Sequence, residues 1–140
     1  MPELPLPVPS EDNQTFWDYL NQGELRIERC AACGTMRHPP RPMCAECQSY
    51  EVEWVRVSGR GSVYSYIVTH QPIHPALVDK VPFATVIVEL EEGPRLTTNL
   101  VDVAPAEIAI GMPVEVVFQR MNDQITLPLF RRAAAAVRRD

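Results

Sequence analysis

All four cysteines of the 140-residue chain fall between Cys30 and Cys47, as two C-x-x-C pairs with ten residues between them. No other feature limits the fold as tightly. Each C-x-x-C turn can aim two thiolates at one point, and two such turns form a tetrahedral sulfur cage that suits Zn2+. Iron fits a four-thiolate cage as well. Two disulfides and a redox-active pair are the weaker readings. The opening MPELPLPVPSEDNQ carries acids and four prolines where a secretory leader carries cations and then an apolar helix. No apolar run approaches the ~20 residues of a membrane span. A cytoplasmic chain, with no membrane partner, is therefore expected, and clustered thiols in a reducing compartment point to metal. With every ligand position taken by Cys30, Cys33, Cys44 and Cys47, no coordination position stays open. Such a site is structural and holds a segment too small for a core of its own.

The cage frames a loop, Thr35 to Met43. Pro39, Pro40 and Pro42 stiffen it and reduce its backbone donors. Arg37, His38 and Arg41 sit on that frame. The arginines read either as solvated or as a grip on an anion or a partner carboxylate. Gly34, directly after Cys33, suits a knuckle turn that needs positive φ.

Around the cage the pattern is mostly β. Asn13-Gln14-Thr15 opens a short helix bearing Phe16, Trp17, Tyr19 and Leu20, and Gly23 ends it. Its aromatics pack either on the body of the protein or on another chain. Leu25–Arg29 and Val52–Val57 alternate as strands on either side of the cysteines. Further strand candidates are 62–68, 83–90, 95–101, 114–118, 124–127 and 129–130, with a helical turn at 104–108. Five or six short strands with breakers between them suit a small closed barrel. The division predicted is a lead-in and helix over 1–24, a zinc ribbon over 25–57, a five-stranded OB-fold barrel over 58–130 and a tail over 131–140. The tail's AAAAVRRD has the composition of a frayed helix.

The sequence offers little for catalysis. His70 and His74 stand four apart, but Pro72 and Pro75 forbid a helical metal pair, so an ordered surface loop is expected. No nucleophile elbow, phosphate loop or dinucleotide fingerprint occurs. Glu89, Glu91 and Glu92 read as a solvated strand end. The net charge is −5, which argues against a nucleic-acid partner. The chain has twelve arginines to one lysine, Lys80, a bias that base composition or phosphate and carboxylate recognition would produce. Tyr64, Tyr66 and Phe83 form a barrel wall able to take an adenine or an acyl chain, with core packing the preferred reading for Tyr64 and Phe83.

Several words of the chain, taken together, resemble the DUF35 family, a rubredoxin-like zinc ribbon followed by an OB-fold. They are Cys30-Ala-Ala-Cys33-Gly34, Pro39-Pro40-Arg41-x2-Cys44-x2-Cys47, Trp54, Ser58 to Tyr66, Pro82-Phe83, Val88-Glu89-Leu90-x2-Gly93, and Ile110 to Val114. The Phe16-Trp17 helix fits the same pattern, and the likeness runs from about residue 14 to about residue 120. The resemblance implies a mainly β fold with an N-terminal helix. It also implies a non-catalytic, acyl-CoA-associated subunit that assembles with a thiolase-like enzyme (a thiolase, a lipid-transfer-type aldolase or a hydroxymethylglutaryl-CoA synthase) as a 2:2 heterotetramer. Structural Zn2+ and acyl-CoA are then the expected ligands. Arg37, Arg41 and Arg60 are the candidate contacts to CoA or the partner. A single-stranded nucleic-acid binder remains the alternative, because zinc ribbons and OB-folds both do that work.

Overall fold

The computed structural model describes residues 6–133. The lead-in before residue 6 and the expected frayed helix from residue 134 onward lie outside the described residues.

The ribbon is a three-stranded sheet in the order β2-β1-β3, built from β1 (Arg26–Cys30), β2 (Met36–Arg37) and β3 (Val52–Arg56). All its pairings are antiparallel. The remaining strands are β4 (Arg60–Thr69), β5 (Phe83–Leu90), β6 (Arg95–Val101), β7 (Pro113–Arg120) and β8 (Thr126–Arg132). They close as β4-β5-β6-β8-β7, the five-stranded barrel of an OB-fold. Closure needs one short parallel pairing, Leu100↔Phe130 and Val101↔Arg131, between β6 and β8. Along β5 the burial alternates strictly, and Ala84, Val86, Val88 and Leu90 point inward. Gly61 lets β4 cross close to β5: a Cβ there would strike the Glu89 carbonyl and Val88.

One helix, α1 (Gln14–Asn21), joins ribbon and barrel. Its Phe16 and Leu20 enter a single buried cluster that runs from Leu25 and Ile27 of the ribbon to Val63, Val86 and Phe130 of the barrel. Asn21 donates from Nδ2 to the Gln124 carbonyl (2.9 Å) and accepts the buried Thr126 hydroxyl (2.8 Å). On the other side Tyr19 meets the Trp54 ring (6.2 Å) and lies under the Arg26 guanidinium (4.6 Å). Trp17 packs against the buried cluster. The aromatics of α1 thus pack on the protein's own body. No helix among the described residues is long and apolar enough to cross a membrane.

The structure corrects two sequence-based expectations here. First, the two strand candidates either side of Pro128 are one strand, β8. The Thr98 hydroxyl donates to the Pro128 carbonyl (2.6 Å), which points toward β6 at a place where β6 and β8 share no ladder bond. Proline's missing N–H lies on that same side and interrupts nothing. Second, β8 continues through Arg132, so Arg131 and Arg132 belong to the barrel rather than to a tail. Arg131 pairs with Glu115 across β7 (2.8 Å), and Ala133 N–H donates to the Pro113 carbonyl (3.0 Å).

Candidate metal centre and the loop it anchors

Cys30 closes β1, and Cys33 lies in the turn beyond it; Cys44 and Cys47 occupy a second turn of the same build. Gly34 N–H donates to the Cys30 carbonyl (2.8 Å), and Gln48 N–H donates to the Cys44 carbonyl (2.9 Å). Cys30 N–H donates to the Thr35 carbonyl (2.8 Å), and Cys44 N–H to that of Ser49 (2.9 Å). The N–H groups of Cys33 and Glu46 reach Cys30 Sγ and Cys44 Sγ at 3.4 Å each. The residue after each second cysteine has positive φ: +80° at Gly34, as its sequence position predicts, and 61° at Gln48. The side chain at Gln48 makes that conformation cost roughly 1 kcal/mol.

The four Sγ atoms lie within 4.8 Å of one another. Cys30 and Cys47 are 3.5 Å apart and Cys33 and Cys44 are 3.6 Å apart. A tetrahedron with arms of ~2.3 Å has edges of roughly 3.8 Å, so these sulfurs fit a four-coordinate thiolate-bound ion. All four cysteines are free of disulfides. The Thr35 hydroxyl, 3.1 Å from Cys33 Sγ, pulls that thiol down to about 6. Cys30 is also lowered, chiefly by the Cys33 N–H. Cys47 is pulled down by a backbone bond at Ser49 yet ends pushed up to about 12, because the neighbouring sulfurs and burial oppose its ionisation. Four thiolates this close repel one another, and a dication at their centre offsets that repulsion.

The loop between the knuckles is held by a residue that sequence reasoning overlooked. Glu28 sits in an alternating strand that reads as half solvated, yet it is 4% exposed. Its Oε1 accepts Arg37 Nε (2.5 Å) and the Arg41 backbone N–H (2.8 Å). Arg37 Nη2 in turn donates to the Arg41 carbonyl (2.9 Å). The β1–β2 register places Glu28 opposite Arg37. One carboxylate therefore ties both ends of the segment 37–41 to β1. Arg37, whose side chain is 12% exposed, is committed inward. Arg41 and Arg60 are exposed, and no carboxylate among the described residues forms an ion pair with either. No sequence signal marks Glu28 beyond its position opposite a loop arginine.

His38 packs against the Phe16 ring at 5.0 Å, and its buried Nδ1 has no hydrogen-bond partner. Burial lowers its pKa to about 4. His74 Nδ1 accepts the Ala76 N–H (3.0 Å) and caps a short 3-10 turn, Pro75–Leu77, in the expected ordered loop. Tyr66, half-buried, donates to the Ile108 carbonyl (3.3 Å). Tyr64 is not core: it is 46% exposed, because a bulge between Val63 and Ser65 turns it outward under Arg95, 3.8 Å from its ring. Phe83, half-buried, also lies on the outer side of β5 rather than inside the barrel.

A zinc ribbon clasped to a five-stranded OB barrel is the architecture these elements define. The chain belongs to the DUF35 family. The family described as "ChsH2, rubredoxin-like zinc ribbon domain" matches residues 17–53, and "ChsH2, C-terminal OB-fold domain" matches residues 54–119. A DUF35 domain-containing scaffold protein of Methanocaldococcus jannaschii is 42% identical over 110 residues, covering 76% of this chain and 77% of that protein. A probable enoyl-CoA hydratase alpha subunit of Thermomonospora curvata is 47% identical over 129 residues, covering 92% of this chain. The chain spans only 40% of the length of that hydratase subunit. Among solved structures, the "Ltp2-ChsH2(DUF35) aldolase" contains a chain with a TM-score of 0.85 and 46% identity, covering 92% of this chain and 100% of that one.

Three outcomes are expected. Stripping the metal with a strong chelator, or changing Cys33→Ser, should remove amide-exchange protection from residues 26–56 and lower the melting temperature. A metal-free ribbon with unaltered protection would contradict this.

Changing Glu28→Ala strands a buried guanidinium and the Arg41 N–H, and should cost about 3–5 kcal/mol in denaturant unfolding. The double change Glu28→Leu with Arg37→Met should recover most of that loss.

For His38, the folded-state pKa of about 4 lies below the ordinary value of 6.5. Between those two pH values the unfolded chain binds a proton that the folded chain refuses. Its contribution is therefore full above about 6.5, falls as the pH drops, and levels off below about 4. His38→Phe should flatten that part of the stability–pH curve, by at most ~3 kcal/mol relative to the parent protein.

Proposed function

We propose that this chain is a non-catalytic accessory subunit of an acyl-CoA enzyme. It binds a thiolase-like partner, foremost an aldolase of the Ltp2 type, and completes or supports that partner's acyl-CoA site. The observation that carries this reading is the likeness, over 92% of this chain, to a chain of the Ltp2-ChsH2(DUF35) aldolase. The chemistry of the chain agrees. Its four thiols converge on one closed metal site, His74 caps a turn, and the half-buried His38 leaves its Nδ1 without a hydrogen-bond partner. A closed tetrathiolate centre positions structure and offers no open position for substrate. Structural zinc is the resident ion in this reading.

Arg41 and Arg60 are the proposed contacts to the phosphates of CoA or to partner carboxylates, since both guanidinium groups are exposed and unclaimed among the described residues. Arg37 serves as the positioning residue that holds Arg41 in place. A 2:2 assembly is part of the proposal. The nucleic-acid alternative is less favoured, because two of the barrel's arginines, Arg95 and Arg131, are already paired with Glu89 and Glu115.

Mixing tests this. The chain alone should turn over no acyl-CoA, the Ltp2-type subunit of the same organism should co-purify with it, and aldolase activity should need both. Arg41→Ala should weaken acyl-CoA retention or complex formation about tenfold, the scale of one charge-assisted hydrogen bond. Arg120→Ala, at the far end of β7, should stay within about twofold. Turnover by the isolated chain, or equal effects of the two changes, would overturn the reading.

A further inference from the structure

Every strand of the barrel has a neighbour on both sides, because the barrel is closed. The ribbon sheet has two outer strands. One, β2, is two residues long, and the other, β3, is five. Val57 N–H donates to the Leu25 carbonyl, and Ala31 N–H to that of Glu51. With Ile27 opposite Val55 between them, the odd-numbered residues of β3 bond to β1. Val52, Trp54 and Arg56 consequently turn their N–H and C=O groups outward. Among the described residues a single hydrogen bond reaches that edge, from Arg26 Nη1 to the Trp54 carbonyl (3.3 Å). An open edge of this kind is a template for another strand unless charge or cover blunts it.

Beside the groove the edge side chains, Val52 and Trp54, are apolar, and the edge ends in the exposed Arg56. Tyr50 is 72% exposed and Val52 is 40% exposed. With Trp54 they form one wall of a groove of about 320 Å³. Glu11 and Asp12, just before α1, and Thr15 in its first turn line the groove too. Glu11 and Asp12 are exposed, and neither has an ion-pair partner among the described residues. Arg41 is also among its lining residues. Within the groove Glu28 is already answered by Arg37, so the charge left for a visitor to meet is that of two carboxylates against one guanidinium.

We infer that the free edge of β3 and the groove beside it receive an extended segment of the partner subunit carrying an arginine or lysine. The segment pairs with β3 as a fourth strand. Strands pair about 4.8 Å apart with side chains alternating between faces, so every second residue of the added strand falls beside Val52 and Trp54 and enters the groove. There its cation lies between the Tyr50 ring and the carboxylates of Glu11 and Asp12. An acid next along the segment meets Arg41. The inference rests on the reading that the chain has an enzyme partner, and it names the surface that holds it.

Binding of the purified Ltp2-type aldolase subunit to the immobilised full chain tests the inference, measured with the parent and three variants. Val52→Pro removes an N–H that points away from β1, so it spares the ribbon ladder and blocks only the edge. Glu11→Arg with Asp12→Arg reverses the charge of the groove's acidic lining. Tyr50→Ala removes an exposed ring and leaves folding untouched if one change should prove unfolded by circular dichroism. Each is expected to weaken binding at least tenfold, and the charge reversal should invert the salt dependence. Amide exchange at Val52 and Trp54 should slow in the parent complex. If the parent binds and all folded variants bind equally well, with no slowing at those amides, the docking site is refuted and the partner reading stands. If the parent chain itself fails to bind, the partner reading falls and takes this inference with it.

Discussion

Four sulfur atoms drawn within bonding reach of one ion are the constraint on which the rest of the ribbon depends. A three-stranded sheet with a two-residue outer strand has too little apolar surface to hold itself together. The ion supplies what the core does not. Its two knuckles, alike in their backbone carbonyl hydrogen bonds, fix both ends of the intervening loop. The carboxylate of Glu28 then fixes the middle. Metal and ion pair act in series: the first brings β1 and the loop together, and the second sets the loop's path once they meet. A buried ion pair is weak evidence for stability as such, because desolvating two charges is costly. Here it lies where three prolines have left few backbone donors, and its clearer effect is to select one loop conformation.

Much of this was legible in the residues. Cysteine spacing set the cage, Gly34 marked the first knuckle, and β-branched runs between breakers placed the barrel strands. The failures have physical causes. Pro128 reads as a break, but a proline whose missing N–H faces a gap in the pairing leaves the strand intact. Tyr64 reads as core on simple alternation, and one bulge reverses its direction. Glu28 reads as solvated because alternation concerns a single strand, whereas its burial comes from the loop folding over it. Gln48 at positive φ has no sequence mark, since glycine is what that conformation favours. In each case the sequence conveyed local preference, and a partner distant along the chain decided the outcome.

The four thiols of the chain converge on one site, two of its three histidines pack or cap within the fold, and ion pairs occupy several of its arginines. Arg41 on the loop and Arg60 at the start of β4 are exposed and outside any ion pair among the described residues, as are Glu11 and Asp12 at the ribbon groove. Those groups are the ones the proposed assembly would use.

The position of α1 has a mechanical consequence. Tyr19 grips the ribbon while Asn21, half a turn away, grips the barrel, and Phe16 and Leu20 fill the seam between them. A joint clasped in this way does not swivel. The molecule is therefore a ruler of fixed length: whatever seizes one end also dictates, at a set distance and angle, where the other end lies.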